Sequence, residues 1–509
     1  MVNNITYIKI PLTHIKFVYY NRAKGKTMRI PRNKIKLAAG LILISLVFLY
    51  LRLKTLNHLL MWDEARNIIS LRAFLSNNWK DPFYWNYFFH PPLYMVFASL
   101  LAPFKAGLDI RLELLSLFFS YLTLLFMYMI SVKMGGWKYA FFNGLLLSLM
   151  PASIAYDTWT KRDCLACALG YLAILLLLRK KFFWCAVALS FSLLAKENAL
   201  FFILAVTCIL LISKERGIFK KIATIYGVIF ALSWWWYIYF SSMPGLISDI
   251  YLSAERNLSS WINSPFYYLK KMLPDAGLPI LVFFIIGTVH LLYLIFMKKQ
   301  RKWSLPLIIF LSVYIPGSFF IACKTPWLCL SAVPAIGMIA GNGALFLLKN
   351  LKRSRVLLVL FTVLFIFSIF GGVSFSYEKY HIKTYQNGWM GANYSRELAL
   401  YLNKHMRPGE RLMLTQFSYW GRPLCIMCPI FLYYFDGKPV YVIDGNDSAE
   451  EVIKEIANKK ISWLAVSDSY DERFNFHKLV KDAVNSILGK PAIAGSSYIW
   501  KTDSLWYNK

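Results

Sequence analysis

The residues able to do chemistry in this chain stand at breaks between apolar runs. Asp63 and Glu64 sit together in 61-MWDEARNI-68, with Arg66 two positions on, and 89-FHPPLY-94 follows with His90 ahead of a rigid Pro-Pro. Asp157, Lys161, Arg162 and Asp163 crowd into 157-DTWTKRDCLACAL-169. Lys196-Glu197 interrupts 193-LLAKENALFF-202, and Lys324 interrupts 321-IACKTPWLCL-330. Moving a group such as a sugar from a phosphate carrier to a hydroxyl or amine needs a base to take the acceptor proton. It also needs cations to neutralise the leaving phosphate. A carboxylate and several Lys or Arg on one face would supply both. Each residue has a plainer reading. Asp63 caps a juxtamembrane helix; Asp163 and the start of a helix favour each other electrostatically; Lys161 and Arg162 anchor an interface; Lys196 and Lys324 snorkel to head groups. Cys425-x-x-Cys428-Pro429 invites a redox reading, because a helix start lowers a thiol pKa. A disulfide or two separate thiols is the simpler account, and no second pair or His cluster completes a zinc site.

The elements that must hold these residues are membrane helices. Of 509 residues, 58% are hydrophobic and only 16% charged, too little charge to cover a soluble protein of this length. Mean hydropathy is +0.48. A crossing helix needs roughly 20 apolar residues, and eleven spans are predicted, at about 37–53, 112–132, 138–155, 164–178, 182–195, 198–213, 220–240, 278–297, 304–322, 327–348 and 355–375. The run 91–104 reads as an amphipathic or re-entrant segment at the outer interface. With it uncrossed, the basic amino-terminus and the clusters at 133–138, 179–181, 214–221, 298–302 and 349–355 all fall on the cytoplasmic side, as the positive-inside rule requires. The net charge of +31 is then an orientation signal rather than a mark of nucleic-acid binding. The first 36 residues are basic with no small-residue cleavage site, so the first apolar run is a retained anchor.

In that register the outer loops carry the unusual residues: Asp63, Glu64, Arg66, His90 and Arg111 in the first, Asp157–Asp163 in the second, Lys196 in the third and Lys324 in the fifth. A long fourth loop, 241–277, holds Glu255, Arg256 and 265-PFYYLKK-271. Beyond about residue 376 the chain turns polar. Helices are predicted at 394–405, 448–459 and 476–488, with a further one at 425–435, and strands at 411–416, 438–443 and 461–467. The expected organisation is a cytoplasmic basic amino-terminus (1–36), a transmembrane catalytic domain (37–376) and a small extracytoplasmic α/β domain with a parallel core (377–509).

These motifs, in this order, resemble the GT-C class of integral-membrane glycosyltransferases, on the branch of protein O-mannosyltransferases and the aminoarabinose transferases of lipid A. Asp63-Glu64-Ala65-Arg66 resembles the class's first-loop Asp-Glu motif and His90-Pro91-Pro92-Leu93 its His-Pro-Pro-Leu segment. Arg111, Asp163, Lys196 and Lys324-Thr325-Pro326-Trp327 match further elements, and the likeness covers roughly 37–350. It implies a polytopic α-helical, GT-C-like fold in the cell membrane and a sugar donor on dolichyl or undecaprenyl phosphate. It implies Asp63 as general base in an inverting displacement, with Glu64 and Asp163 positioning substrates. Arg111, Lys196, Lys324 and Arg162 would hold the carrier phosphate, with Arg66 and His90 counted in the same donor-binding set. The class takes protein, lipid and glycan acceptors, so the acceptor stays open. Members on this branch often work without a metal, whereas oligosaccharide-transferring relatives hold a divalent ion between two loops. Asp63 and Asp163 are the available pair, and the missing Asp-x-Asp in the second loop speaks against it. The rival readings are a polyprenyl-lipid flippase or transporter, which would place its charges near mid-membrane in related halves, and a membrane scaffold.

Overall fold

The computed structural model describes residues 18–20, 27–29, 32–56, 62–76, 91–101, 107–213, 217–241, 266–319, 330–350, 354–377, 392–415, 431, 435, 441–443, 449–467, 475–494 and 497–502. His90, Lys324, Cys425 and Cys428 lie outside them, as do the side chains of Asp63 and Arg66. A short hairpin, β1 (Val18–Tyr20) and β2 (Thr27–Arg29), precedes the helices; the basic composition of the amino-terminus gives no sign of it.

The helices of the membrane region are α1 (Arg32–Leu53), α2 (Trp62–Leu75), α3 (Leu93–Ser99), α4 (Leu108–Leu149), α5 (Pro151–Tyr156), α6 (Arg162–Leu178), α7 (Phe182–Ala195), α8 (Leu200–Ser213), α9 (Ile218–Ser241), α10 (Tyr267–Ala276), α11 (Leu278–Leu292), α12 (Leu305–Phe319), α13 (Val333–Asn350) and α14 (Arg355–Tyr377). Among the described residues, seven helices are long and apolar enough to cross a bilayer: α1, α4, α9, α11 with its π-helical continuation, α12, α13 and α14. Helices α6, α7 and α8, with 17, 14 and 14 residues, fall short of that length. The seven-residue α3, in the run set aside as non-crossing, covers only about 10 Å.

Helix α4 has 42 residues, roughly 63 Å if straight and twice the hydrocarbon thickness. It is not straight. Gly136 interrupts it at φ 78° and ψ −172°, a conformation open to glycine and costly for any residue with a Cβ. Asn143 Nδ2 donates to Ser131 Oγ at 2.8 Å, although these residues would stand about 18 Å apart along one continuous helix. The halves therefore fold back on each other at Gly136, which accounts for the two predicted spans 112–132 and 138–155. Helix α13 forms the buried axis, with 94% of its most apolar stretch covered by neighbours. It meets α11 at backbone contact: a Cβ on Gly287 would fall 1.9 Å from Ile339 O, and one on Gly343 2.0 Å from Phe283 O. Small residues let membrane helices approach this closely, where packing rather than the hydrophobic effect drives association.

The two ends of the bundle differ chemically. At one end Lys36 lies over the Trp137 ring, Lys133 Nζ donates to Leu178 O, and Lys302 Nζ donates to Met134 O at 3.2 Å. The basic loops thus share that end. The carboxylates gather at the other, where α1 finishes and α6 begins.

The polar carboxy-terminal region contains α15 (Ala392–His405), β3 (Leu412–Thr415), β4 (Tyr441–Ile443), α16 (Ala449–Asn458), β5 (Trp463–Ser467), α17 (Asn475–Leu488), β6 (Ala492–Ala494) and β7 (Ser497–Lys501). The sheet order is β4-β3-β5-β7-β6, with β3 parallel to both β4 and β5, and β7 antiparallel to β5 and β6. The parallel part of the sheet is β4-β3-β5. The β6–β7 hairpin goes beyond the predicted strands, because its strands are short and Ala492–Ala494 is small and weakly patterned.

Candidate active site

The carboxylate-rich end is assembled by docking α2 onto the segment between α5 and α6. Glu64, in the first turn of α2, is fully buried and accepts a hydrogen bond from the Thr160 amide at 2.8 Å through Oε1. Three residues on, Asn67 Nδ2 donates to Thr160 O at 2.6 Å, while Asn67 Oδ1 accepts from Arg162 Nε at 3.0 Å. Arg162 is buried as well, and its Nη1 reaches Pro91 O at 3.5 Å. First-loop helix, Pro-Pro segment and second loop are therefore one hydrogen-bonded unit. Helical spacing explains the pairing. Glu64 and Asn67, at i and i+3, share the face of α2 that meets the second loop. Asp63 opens the same helix one turn ahead of Asn67.

Asp163 lies in the first turn of α6 and is buried. Its Oδ2 receives Lys196 Nζ at 2.6 Å, and its Oδ1 receives Asn198 Nδ2 at 2.7 Å. Lys196 ends α7 in extended conformation, which turns its side chain back toward α6. Both oxygens of Asp163 are thus engaged, one of them by an ammonium. A carboxylate so occupied does not fit as the ligand of a divalent cation shared with Asp63, and no three of His, Cys, Asp and Glu converge among the described residues. Lys161 is buried over the Trp159 ring, and its amide donates to Ser116 Oγ at 3.3 Å. Arg111 opens α4, and its Nη1 donates to Leu101 O at 2.8 Å, tying the α3 exit to the start of α4.

Four residues of this end are not picked out by the sequence, Arg52, Asn67, Ser153 and Asn198, and a fifth, Asp157, is picked out there without a role. Arg52, at the end of α1, has no solvent exposure and stacks 3.8 Å from the Phe48 ring centroid. Its Nε donates to Asp157 Oδ2 at 2.7 Å, Nη1 to Ser148 O at 2.7 Å and Nη2 to Ser153 Oγ at 2.7 Å. A signal was available, since an arginine at the end of a span away from the basic loops runs against the charge pattern expected from the positive-inside rule. Thr160 Oγ1 and Asn198 Oδ1 are buried without a hydrogen-bond partner among the described residues. Orphaned buried polar atoms are rare in native interiors.

Two cavities open at this end and share Leu330 and Val333 as a wall. The first is bounded by Phe48, Ser153, Asp157 and Asp163. The second is bounded by Tyr156, Tyr268, Asp275 and Tyr314. Leu330 directly follows the segment carrying Lys324. In the second cavity, burial pushes the Asp275 carboxyl up to about 7, and Lys271 one turn away only partly offsets this. Folding therefore holds a proton that the unfolded chain releases near pH 4, so Asp275 lowers stability progressively from pH 4 to 7 and by a constant amount above. Asp275→Asn removes that penalty. The melting temperature of the detergent-solubilised variant is expected to exceed wild type above pH 7.5, with the difference shrinking toward zero as the pH falls to 4. A difference independent of pH would contradict the assignment.

This end of the bundle and the helical order define a fold found in the GT-C class of membrane glycosyltransferases. The chain is similar to ArnT, the aminoarabinose transferase, of Cupriavidus metallidurans in the apo state, with a TM-score of 0.66 at 14% identity, covering 94% of this chain and 100% of that one. The same enzyme bound to undecaprenyl phosphate gives 0.65 at 15% identity, covering 94% and 99%. The Archaeoglobus fulgidus oligosaccharyltransferase in the apo form gives 0.55 at 11% identity, covering 85% and 69%. No family model and no curated protein matches the sequence. The fold expected from the motifs is present, in a multi-pass, mostly helical membrane protein.

Proposed function

We propose that this protein is a glycosyltransferase that takes a sugar from a polyprenyl-phosphate carrier and passes it to an acceptor on the outer face of the membrane. The observation that carries the reading is the cluster of Glu64, Asn67, Arg162, Asp163 and Lys196, gathered from three loops at the end of the bundle opposite the basic loops. A fold shared with a transferase crystallised with undecaprenyl phosphate supports the choice of carrier. In this reading the shorter helices α6, α7 and α8 also cross and α4 crosses twice, once on each side of Gly136, giving eleven spans. The amino-terminus is cytoplasmic, and residues 377–509 form an extracytoplasmic α/β domain.

The acceptor oxygen or nitrogen attacks the anomeric carbon as the bond to the carrier phosphate breaks, with inversion, and the phosphate leaves on the lipid. Asp63, at the head of α2, takes the acceptor proton. Lys324 and Lys196, with Arg66, Arg111, Arg162 and His90, form the cationic set around the phosphate. Arg162 and Lys196 also fix the second loop, Arg162 through Nε to Asn67 and Lys196 through one bond to Asp163, and each carries further N–H donors for the phosphate. Glu64 holds Thr160 in the same way.

The test is transfer of radiolabelled sugar from polyprenyl-phosphate-linked hexoses and pentoses to extractable lipid, protein and glycan, in membranes with and without the protein. Transfer that depends on the protein supports the reading. No transfer from any donor, by protein shown to be folded, would overturn it in favour of a flippase.

A further inference from the structure

Two aspartates border the first cavity, and they differ in what is left of them. Asp163 has both oxygens occupied, by Lys196 and Asn198, and its side chain is 1% exposed. Asp157 is held through one oxygen only. Arg52 Nε and Ser153 Oγ both donate to Oδ2, each at 2.7 Å, and among the described residues no hydrogen bond reaches Oδ1. The Asp157 side chain is 14% exposed, and the residue lines the cavity together with Ser153 and Asp163.

The guanidinium behind Asp157 is unusual for its setting. It is wholly buried, stacked on Phe48, and donates further to Phe48 O within α1 and to Ser148 O and Ser153 Oγ at the junction of α4 and α5. Burying a charge pair this deeply costs desolvation that the attraction between partners only partly offsets. A structural link between α1 and the α4–α5 junction could be made by apolar packing instead. What apolar packing cannot supply is a carboxylate fixed in one orientation, with one oxygen committed and the other presented. Carboxylates held in this way accept hydrogen bonds from hydroxyl groups strongly, because the acceptor is charged.

We propose that Asp157 is a sugar-binding residue of the transfer site, accepting a hydroxyl of the transferred sugar at Oδ1, and that Arg52 is its positioning residue. This rests on the transferase reading above. It assigns Asp157 to specificity rather than to the proton transfer given to Asp63. A site that hydrogen-bonds a substrate hydroxyl rejects the analogue lacking it far better than an apolar pocket could.

The experiment uses undecaprenyl-phosphate-linked mannose, arabinose and aminoarabinose, each with its monodeoxy forms, on the full-length protein in membranes. In the wild type, one particular deoxy position is expected to lower kcat/KM by about 10–100-fold, the range for a charged hydrogen bond. Two variants are compared. Asp157→Glu keeps the pair with Arg52 but moves the carboxylate by one methylene. Arg52→Met with Asp157→Asn removes both charges and leaves no buried ion alone. Each is expected to raise the donor KM about tenfold or more, to change kcat less than threefold, and to erase the penalty at that single deoxy position. A purely structural role would not make the loss depend on one hydroxyl. If the wild type transfers sugar and both variants keep its deoxy profile, or if kcat alone falls, Asp157 is not a sugar contact and the inference is overturned while the transferase reading stands. If either variant is unfolded, the other decides. If folded wild type transfers from no donor, the transferase reading and this inference fall together.

Discussion

Asp63→Asn is expected to lower transfer by about 10²- to 10⁴-fold, the usual contribution of a positioned general base. The substitution is nearly isosteric and removes only the charge. At the first turn of α2, a negative charge also interacts favourably with the helix dipole, by about 0.3–1 kcal/mol. A residue serving only that local purpose would shift the melting temperature slightly and leave transfer intact. The two roles therefore separate cleanly. A loss of kcat in protein with unchanged thermal stability identifies the base, and full transfer with slightly reduced stability identifies a helix-start residue. Glu64 provides the contrast. It is fully buried and engaged with the Thr160 amide, so Glu64→Gln is expected to act through the docking of α2 rather than through the proton.

The second large effect concerns stability. Asp157→Ala leaves the Arg52 guanidinium buried with no exposure and without its carboxylate. Stranding one member of a buried pair typically costs about 3–5 kcal/mol, a large share of the roughly 5–15 kcal/mol that holds an ordinary protein folded. Arg52→Met alone is expected to cost less. The methionine fills part of the space over Phe48, and the Asp157 carboxylate retains Ser153 Oγ and partial exposure. Arg52→Met combined with Asp157→Asn should be milder than the sum of the single changes, because no uncompensated ion remains. Thermal unfolding of the detergent-solubilised protein, followed for all variants, reads this directly. Additive losses would mean that the two residues are not coupled, against the 2.7 Å contact.

The differing legibility of the site follows from the kind of signal each residue carries. Glu64, Arg162, Asp163 and Lys196 stand out because an ionisable residue at the edge of an apolar run is expensive, and that is visible in the chain itself. Their partners Asn67 and Asn198, and Ser153 between Arg52 and Asp157, are small polar residues, common at such edges, and nothing local distinguishes them. The contrast between the two aspartates of the second loop is invisible in the chain. Asp163 is favoured over Asp157 by its match to a motif, yet Lys196 and Asn198 occupy both oxygens of Asp163, while among the described residues no hydrogen bond reaches Asp157 Oδ1.

Hydrophobic run length and the distribution of Lys and Arg already determine that this is a multi-pass membrane protein with its basic loops on one side and its carboxylates on the other. These are properties of consecutive residues meeting a bilayer, and no long-range contact is needed to read them. The expectation of alternating strand and helix after residue 376 rests instead on local periodicity within each segment. The reversal at Gly136 is legible as a gap between two spans, although its positive φ is not. Only the tertiary structure decides that Arg52 meets Asp157 across 105 residues of sequence and that α2 docks on Thr160 across 96. It alone decides that two cavities share the wall of Leu330 and Val333. Those pairings depend on how the helices pack. Packing is set by small contacts such as Gly287 against Ile339, summed over the whole bundle, and no stretch of sequence contains that sum.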